Sequence, residues 1–225
     1  MPPMPELTHA QAGAFYDRFG SKQDLQRFYE DAAIDRLLAN AALRQAHAIV
    51  EFGCGTGRLA ARMLDELLPA DTTYVGYDVS RTMVELARAR LTRFGSRARV
   101  AKTDGSLALP LANGVCDRFV STYVFDLLSP ADARAVAEEA RRVLVREGLL
   151  CLVSLAPGAG LFARTIEALW RLVWRLRPQL VGGCQPVELR ALMGPSWRIL
   201  YREVVCRLGL CSEVLVAGPA SATTS

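Results

Sequence analysis

Ile49-Val50-Glu51-Phe52-Gly53-Cys54-Gly55-Thr56-Gly57 is an apolar run that breaks into three glycines at alternate positions. Twenty-one residues beyond Gly57, a second apolar run, Tyr74-Val75-Gly76-Tyr77, ends on Asp78. The first run predicts a strand and the glycines a tight turn, since only glycine lets the main chain reverse sharply and touch a ligand with no Cβ between. An acid one strand later is the residue type that accepts hydrogen bonds from ribose hydroxyls. Turn and acid together point to a nucleotide-type ligand at the carboxyl end of a parallel sheet. A dinucleotide fingerprint reads G-x-G-x-x-G. Its third glycine would fall on Arg58 here, whereas this chain reads G-x-G-x-G.

Outward from this stretch the periodicity alternates between strand and helix. Strands are expected at Ala48–Phe52, Tyr74–Tyr77, Ala98–Lys102, Asp117–Tyr123 and Leu149–Leu155. Helices are expected at Arg58–Leu68, at 80–94 with Ser80 as N-cap and Gly95 as stop, and at 130–145 ended by Gly148. Near-continuous apolar strands alternating with helices specify a doubly wound, mostly parallel α/β sheet covered on both faces. The chain closes differently. Trp197–Cys206 and Leu210–Ala217 flank Leu208-Gly209, which predicts a C-terminal antiparallel hairpin and seven strands in all. Residues 1–47 read as an N-terminal helical lid broken at Gly20-Ser21, 48–217 as the main domain with a helical insertion at 156–196, and 218–225 as a disordered tail.

The 225 residues carry 27 Lys and Arg against 23 Asp and Glu, a net charge of +4. That excess lies in residues 151–225, where 8 arginines face 4 glutamates, and no nucleic-acid motif accompanies it. The N-terminus lacks the basic and apolar regions of a signal peptide, and no uncharged run is long enough to span a membrane. The six cysteines form no C-x-x-C pair or Cys/His cluster, so free buried thiols, no metal site and a cytoplasmic location are expected.

The motifs Glu51–Gly57, Gly76-Tyr77-Asp78-Val79-Ser80 with Met83, Thr103-Asp104-Gly105, Cys116-Asp117-Arg118-Phe119 and Arg141–Gly148 occur in the order seen in class I S-adenosylmethionine-dependent methyltransferases. The chain resembles that family, of the ubiquinone/menaquinone-biosynthesis-like type, over roughly residues 48–217. The last motif departs from the family's Lys-Pro-Gly-Gly, reading Val-Arg-Glu-Gly at a turn away from the ligand. The resemblance implies the Rossmann-like fold and S-adenosyl-L-methionine as cofactor. It implies cofactor contacts from Glu51, Gly53, Cys54, Gly55, Gly57, Asp78, Val79, Met83, Asp104, Gly105 and Ser121. Within that set, Asp78 would take the ribose, Met83 would pack on adenine, and Asp104 would lie near the adenine amino group. Each residue also has a structural alternative: Asp78 as a helix cap, Asp104 as a turn former, Cys54 as a small filler and Met83 as core.

Methyl transfer from a sulfonium is an in-line displacement, so the protein chiefly positions the reactants and needs neither triad nor metal. His9, Tyr16 and Asp126 are the candidate catalytic groups, with Asp126 following strand four on the methyl side. The N-terminal aromatics Tyr16, Phe19, Phe28 and Tyr29 are lid or core. Segment 161–177 reads as a helix bearing Trp170 and Trp174, with Arg164, Arg171 and Arg175 on one face. It would serve either as a lid on an apolar pocket or as a peripheral membrane contact. A small, apolar acceptor is the first expectation. The alternatives are a lipid or quinone methylated at a membrane surface, and a catalytically silent cofactor-binding module.

Overall fold

The computed structural model describes residues 27–158 and 184–220. In chain order the elements are α1 (Arg27–Asn40), β1 (Ala48–Phe52), α2 (Arg58–Glu66), β2 (Thr73–Asp78), α3 (Arg81–Leu91), β3 (Ala98–Lys102), β4 (Cys116–Thr122), α4 (Pro130–Val143), β5 (Leu144–Ala156), α5 (Leu189–Leu192), β6 (Trp197–Arg207) and β7 (Leu210–Pro219). The seven strands form one sheet in the order β3-β2-β1-β4-β5-β7-β6. β7 runs antiparallel to both its neighbours, and the other pairings are parallel.

Successive strand residues point to opposite faces, and the core divides accordingly. Ile49, Val153 and Val214 pack with Leu37, Ala60 and Val84 on one side. Val50, Leu152 and Leu215 pack with Val136, Val143 and Leu192 on the other. Helix α1 buries Ala33, Ile34, Leu37 and Leu38, a stripe at helical spacing, against β5, β7 and β6, and Ala41 just beyond it is buried too. Helix starts carry their sequence signals. Ser80 Oγ accepts from Met83 N at 3.2 Å, and Ser129 Oγ accepts from Asp132 N at 3.1 Å with Pro130 in the first turn.

Four expectations need correction. Helix α4 ends at Val143, not 145, because Gly114 N and Val115 N donate to the Arg142 and Val143 carbonyls and so take the acceptors of its last turn. Strand β5 therefore begins at Leu144, and its pairing with β4 slips between Cys116 and Arg118. The tail is ordered beyond 217: β7 reaches Pro219, and Ala220 N donates to Ser196 O at 2.7 Å. The cysteines are not all free thiols. Cys206 and Cys211 face each other across the hairpin and form a disulfide, while Cys54, Cys116 and Cys151 are free and buried. Among the described residues no helix is long and apolar enough to cross a membrane. The segment 161–177 lies outside the described residues, as do His9, Tyr16 and 221–225.

Candidate functional site

The glycine loop leaves the end of β1 and is held to β2. Gly53 N and Cys54 N both donate to the Tyr77 carbonyl, at 2.8 and 3.0 Å, and Gly57 N closes the turn on Cys54 O. Gly53, Gly55 and Gly57 all have positive φ, at 76°, 51° and 72°. That left-handed run turns the chain into α2 within a few residues, which only glycine allows without strain. Gly76 is needed for space instead. A Cβ there would stand 2.6 Å from the Tyr74 hydroxyl and 2.9 Å from Cys54 Cβ.

Asp78 ends β2 directly beside this loop. Gly55 N donates to its Oδ2 at 2.9 Å and Ser80 N to its Oδ1 at 2.8 Å. The carboxylate is thus oriented from the glycine loop on one side and from the start of α3 on the other. Beneath the loop, Tyr74 donates to Glu51 Oε2 at 2.6 Å. Burial, with the charge of Asp78 adding to it, pushes the Glu51 carboxyl up to about 8 against the opposing pull of that hydrogen bond. The Cys54 thiol is also pushed well up by burial and by Asp78 and Glu51, which makes it an inert filler.

A cavity of about 60 Å³ lies over the loop, lined by Glu30, Ile34, Glu51, Gly53, Cys54, Gly55, Thr56, Arg58, Leu59, Thr122 and Tyr123. Glu30 comes from α1, and Arg58 from the first turn of α2. Arg58 binds Asp31 Oδ1 at 2.7 Å and approaches Glu30 Oε2 at 3.5 Å, which pins α1 over the loop. Tyr123 leaves β4 with φ of 56° and shares a 3.0 Å hydrogen bond with Ser212 Oγ.

The structure brings Glu51, Gly53, Cys54 and Gly55 together on this cavity, with Asp78 hydrogen-bonded to its rim and Gly57 closing the turn behind it. Val79 follows Asp78, half-buried. Met83 is 1% exposed inside α3, a core position in this conformation. Asp104 is exposed and accepts from Ser106 N at 2.8 Å, the turn-forming geometry, with Gly105 next to it at φ 95°. Ser121 is fully buried and its hydroxyl donates to Phe52 O at 2.8 Å, a tie between β1 and β4 rather than a surface of the cavity. Asp126 sits in the single turn Phe125–Leu127 after β4, 3% exposed. It accepts from Ser154 Oγ at 3.0 Å, and burial pushes its carboxyl up to about 6.

Glu30, Arg58 and Tyr123 were not anticipated. Arg58 had a signal in directly following the third glycine. Glu30 and Tyr123 reach the cavity only through the packing of α1 on the sheet and the left-handed turn after β4. The buried Tyr74 hydroxyl also had a signal, because a tyrosine inside an apolar strand needs a polar partner.

Residues 49–148 match the model of a methyltransferase domain. Over 110 residues the chain is 42% identical to a malonyl-[acyl-carrier protein] O-methyltransferase of Geobacter sulfurreducens, covering 49% of this chain and 39% of that enzyme. It is 30% identical over 156 residues to an uncharacterized methyltransferase of Geobacillus thermodenitrificans, covering 68% of each. Among solved structures, the [4+2]-cyclase SpnF superposes with a TM-score of 0.68 at 16% identity, covering 97% of this chain and 99% of that one. At that identity the likeness concerns fold alone, and the fold serves a cyclase there. The family model matches the sheet from β1 to the start of β5, the span that holds the glycine loop and Asp78, and the chain belongs to the methyltransferase family.

Proposed function

We propose that this chain is an S-adenosylmethionine-dependent methyltransferase acting on a small molecule. The observation that carries this reading is the Asp78 carboxylate, fixed between the glycine loop and the start of α3 by Gly55 N and Ser80 N. The residues present fit such a cofactor. The loop backbone has no Cβ at Gly53, Gly55 or Gly57, the Asp78 carboxylate beside it can accept from ribose hydroxyls, and the adjoining cavity is lined by acids suited to a cationic amino-acid end. When bound, the cofactor would supply an activated methyl group on sulfur. The chain's own residues then orient, enclose and exclude water. Helix α1 closes the cavity through Arg58 with Glu30 and Asp31, and Tyr123 limits it on the β4 side.

The acceptor is approached from the ends of β4 and β5. An oxygen acceptor must lose a proton, and Asp126 is the carboxyl at that end of β4, with Ser154 holding one of its oxygens. The likeness to malonyl-[acyl-carrier protein] O-methyltransferases lies in about half of this chain, so it supports the donor more than the acceptor. Calorimetry with S-adenosylmethionine on the wild-type chain and on Asp78→Ala tests the reading. We expect the variant to bind about tenfold more weakly or worse, from charge-assisted bonds of about 1.5–3 kcal/mol. Equal affinities would remove Asp78 from the site. Mass spectrometry of products from candidate acceptors separates turnover from binding alone.

A further inference from the structure

Two strained residues stand at the ends of one path through the sheet. Among the described residues Ala42, Tyr123 and Leu208 are the non-glycine residues with positive φ, Tyr123 at 56° and Leu208 at 51°. Bulky side chains meet steric strain in this region, and the strain persists only where surrounding contacts hold it. Leu208 opens the turn between β6 and β7 and is 78% exposed, and the Cys206–Cys211 disulfide joins the strands directly behind that turn. Tyr123 follows β4. Its N–H donates to Val153 O at 2.8 Å, and its hydroxyl shares the 3.0 Å hydrogen bond with Ser212 Oγ.

Ser212 is the residue after Cys211 in β7, is 2% exposed, and lies between Leu155 of β5 and Val205 of β6. The disulfide, Ser212 and Tyr123 therefore follow one another without a gap, and Tyr123 lines the cavity over the glycine loop. Access to the disulfide is one-sided. Cys206 is exposed, whereas Cys211 is 3% exposed and packs with Ala156. A thiolate of a dithiol reductant attacks Cys206 Sγ, and the S–S bond breaks with its electron pair going to Cys211 Sγ, which takes a proton. The reductant's second thiol, as thiolate, then displaces Cys206, which takes the second proton, and the reductant leaves as its own disulfide. With that covalent tie gone, the turn at Leu208 can relax, and Ser212 moves with it.

We propose that Cys206–Cys211 is a thiol–disulfide switch on the cavity over the glycine loop, acting through Ser212 on Tyr123. The oxidised hairpin holds Tyr123 in its left-handed conformation against the cavity, and the reduced hairpin releases it. Ser212 is a positioning residue in this device: it touches Tyr123 and does not itself line the cavity. The effect on a methyl donor rests on the cofactor reading given above, whereas the coupling between disulfide and cavity does not.

Hydrogen exchange and calorimetry on the full chain test this, comparing wild type, Cys206→Ser and Ser212→Ala. Each is studied before and after dithiothreitol, with thiol labelling and mass spectrometry to establish whether the bond is closed. In the wild type, reduction is expected to speed exchange of the Tyr123 amide about tenfold and to weaken S-adenosylmethionine binding about three- to tenfold. Cys206→Ser should match the reduced wild type with or without dithiothreitol; if it does not fold, the wild type reduced in place carries the comparison. Ser212→Ala should keep its disulfide and yet exchange and bind alike in both states, because the link to Tyr123 is cut. A disulfide that only stabilises the hairpin would leave that variant responding as the wild type does, and this result overturns the inference. So does exchange at Tyr123 that reduction leaves unchanged in the wild type. Exchange that responds while S-adenosylmethionine binds neither state overturns the cofactor reading and leaves the switch standing.

Discussion

The Tyr74 hydroxyl donates to Glu51 Oε2 at 2.6 Å, joining β2 to β1 directly beneath the glycine loop. Both side chains are almost wholly buried, and Gly76 leaves the space that the Tyr74 hydroxyl fills. One buried hydrogen bond therefore supports the floor of the site, and its acceptor carries a proton that an exposed glutamate would have lost.

That proton makes stability depend on pH. The Glu51 carboxyl sits near 8 in the folded chain against 4.5 as its ordinary value. Between those values the folded chain binds the proton and the unfolded chain does not, so stability falls as pH rises through that window. Asp126 acts in the same sense between 3.8 and about 6. Glu51→Gln should flatten the decline of Tm from pH 6 to 9, removing a contribution on the order of a few kcal/mol. Parallel Tm profiles for variant and wild type would show that Glu51 does not hold the proton.

Gly57 and Gly114 both have positive φ, at 72° and 62°, but differ in their surroundings. A Cβ on Gly57 would meet Ala87 Cβ at 3.0 Å and Ala87 Cα at 3.1 Å, whereas one on Gly114 has nothing within 4 Å. Gly114→Ala is expected to cost about 1 kcal/mol from backbone strain alone. Gly57→Ala should cost about 2–4 kcal/mol, because it also pushes α3 away from the loop. Urea unfolding of the two variants makes the comparison.

Arg118 is buried under the connection from α1 to β1. It donates to the carbonyls of Ala41, Ala42 and Asp117 at 2.7, 2.8 and 2.9 Å. Ala42 has φ of 48°, a strained turn that this guanidinium holds. Arg118→Met removes the guanidinium from all three carbonyls, of which only that of Ala42 has a second donor shown, Gln45 N at 3.1 Å, and should destabilise the chain by about 2–4 kcal/mol, read from the denaturant midpoint. A loss below about 1 kcal/mol would mean that water replaces the guanidinium there.

The Cys206–Cys211 disulfide closes a short loop across the hairpin tip. Reduction should lower stability by about 2 kcal/mol, the chain-entropy value for so small a loop. Cys206→Ser should unfold at the same temperature with and without reductant, whereas the wild type should not.

The strands and their order of use were legible because burial on both faces demands continuous apolar runs, and β1 and β3 fall where periodicity places them. The hairpin was legible from Leu208-Gly209, whose residues both adopt positive φ. Its disulfide was not foreseen, since that requires applying the hairpin register to Cys206 and Cys211 as well. The end of α4 was misplaced because the donors that stop it, Gly114 N and Val115 N, come from a turn some thirty residues earlier.

The alternation of apolar strands with helices determined the class of fold, and the glycine spacing at 53–57 with the acid at 78 marked the strand ends where a ligand is expected, because these depend on burial, backbone freedom and strand-end placement that local sequence encodes. Only the tertiary structure decided which side chains line the cavity over the loop. It took Ser121 into a strand tie and Met83 into the core, and it brought Glu30, Arg58 and Tyr123 to the cavity. Those positions follow from the packing of α1 over the sheet, and such long-range contacts leave no period in the sequence.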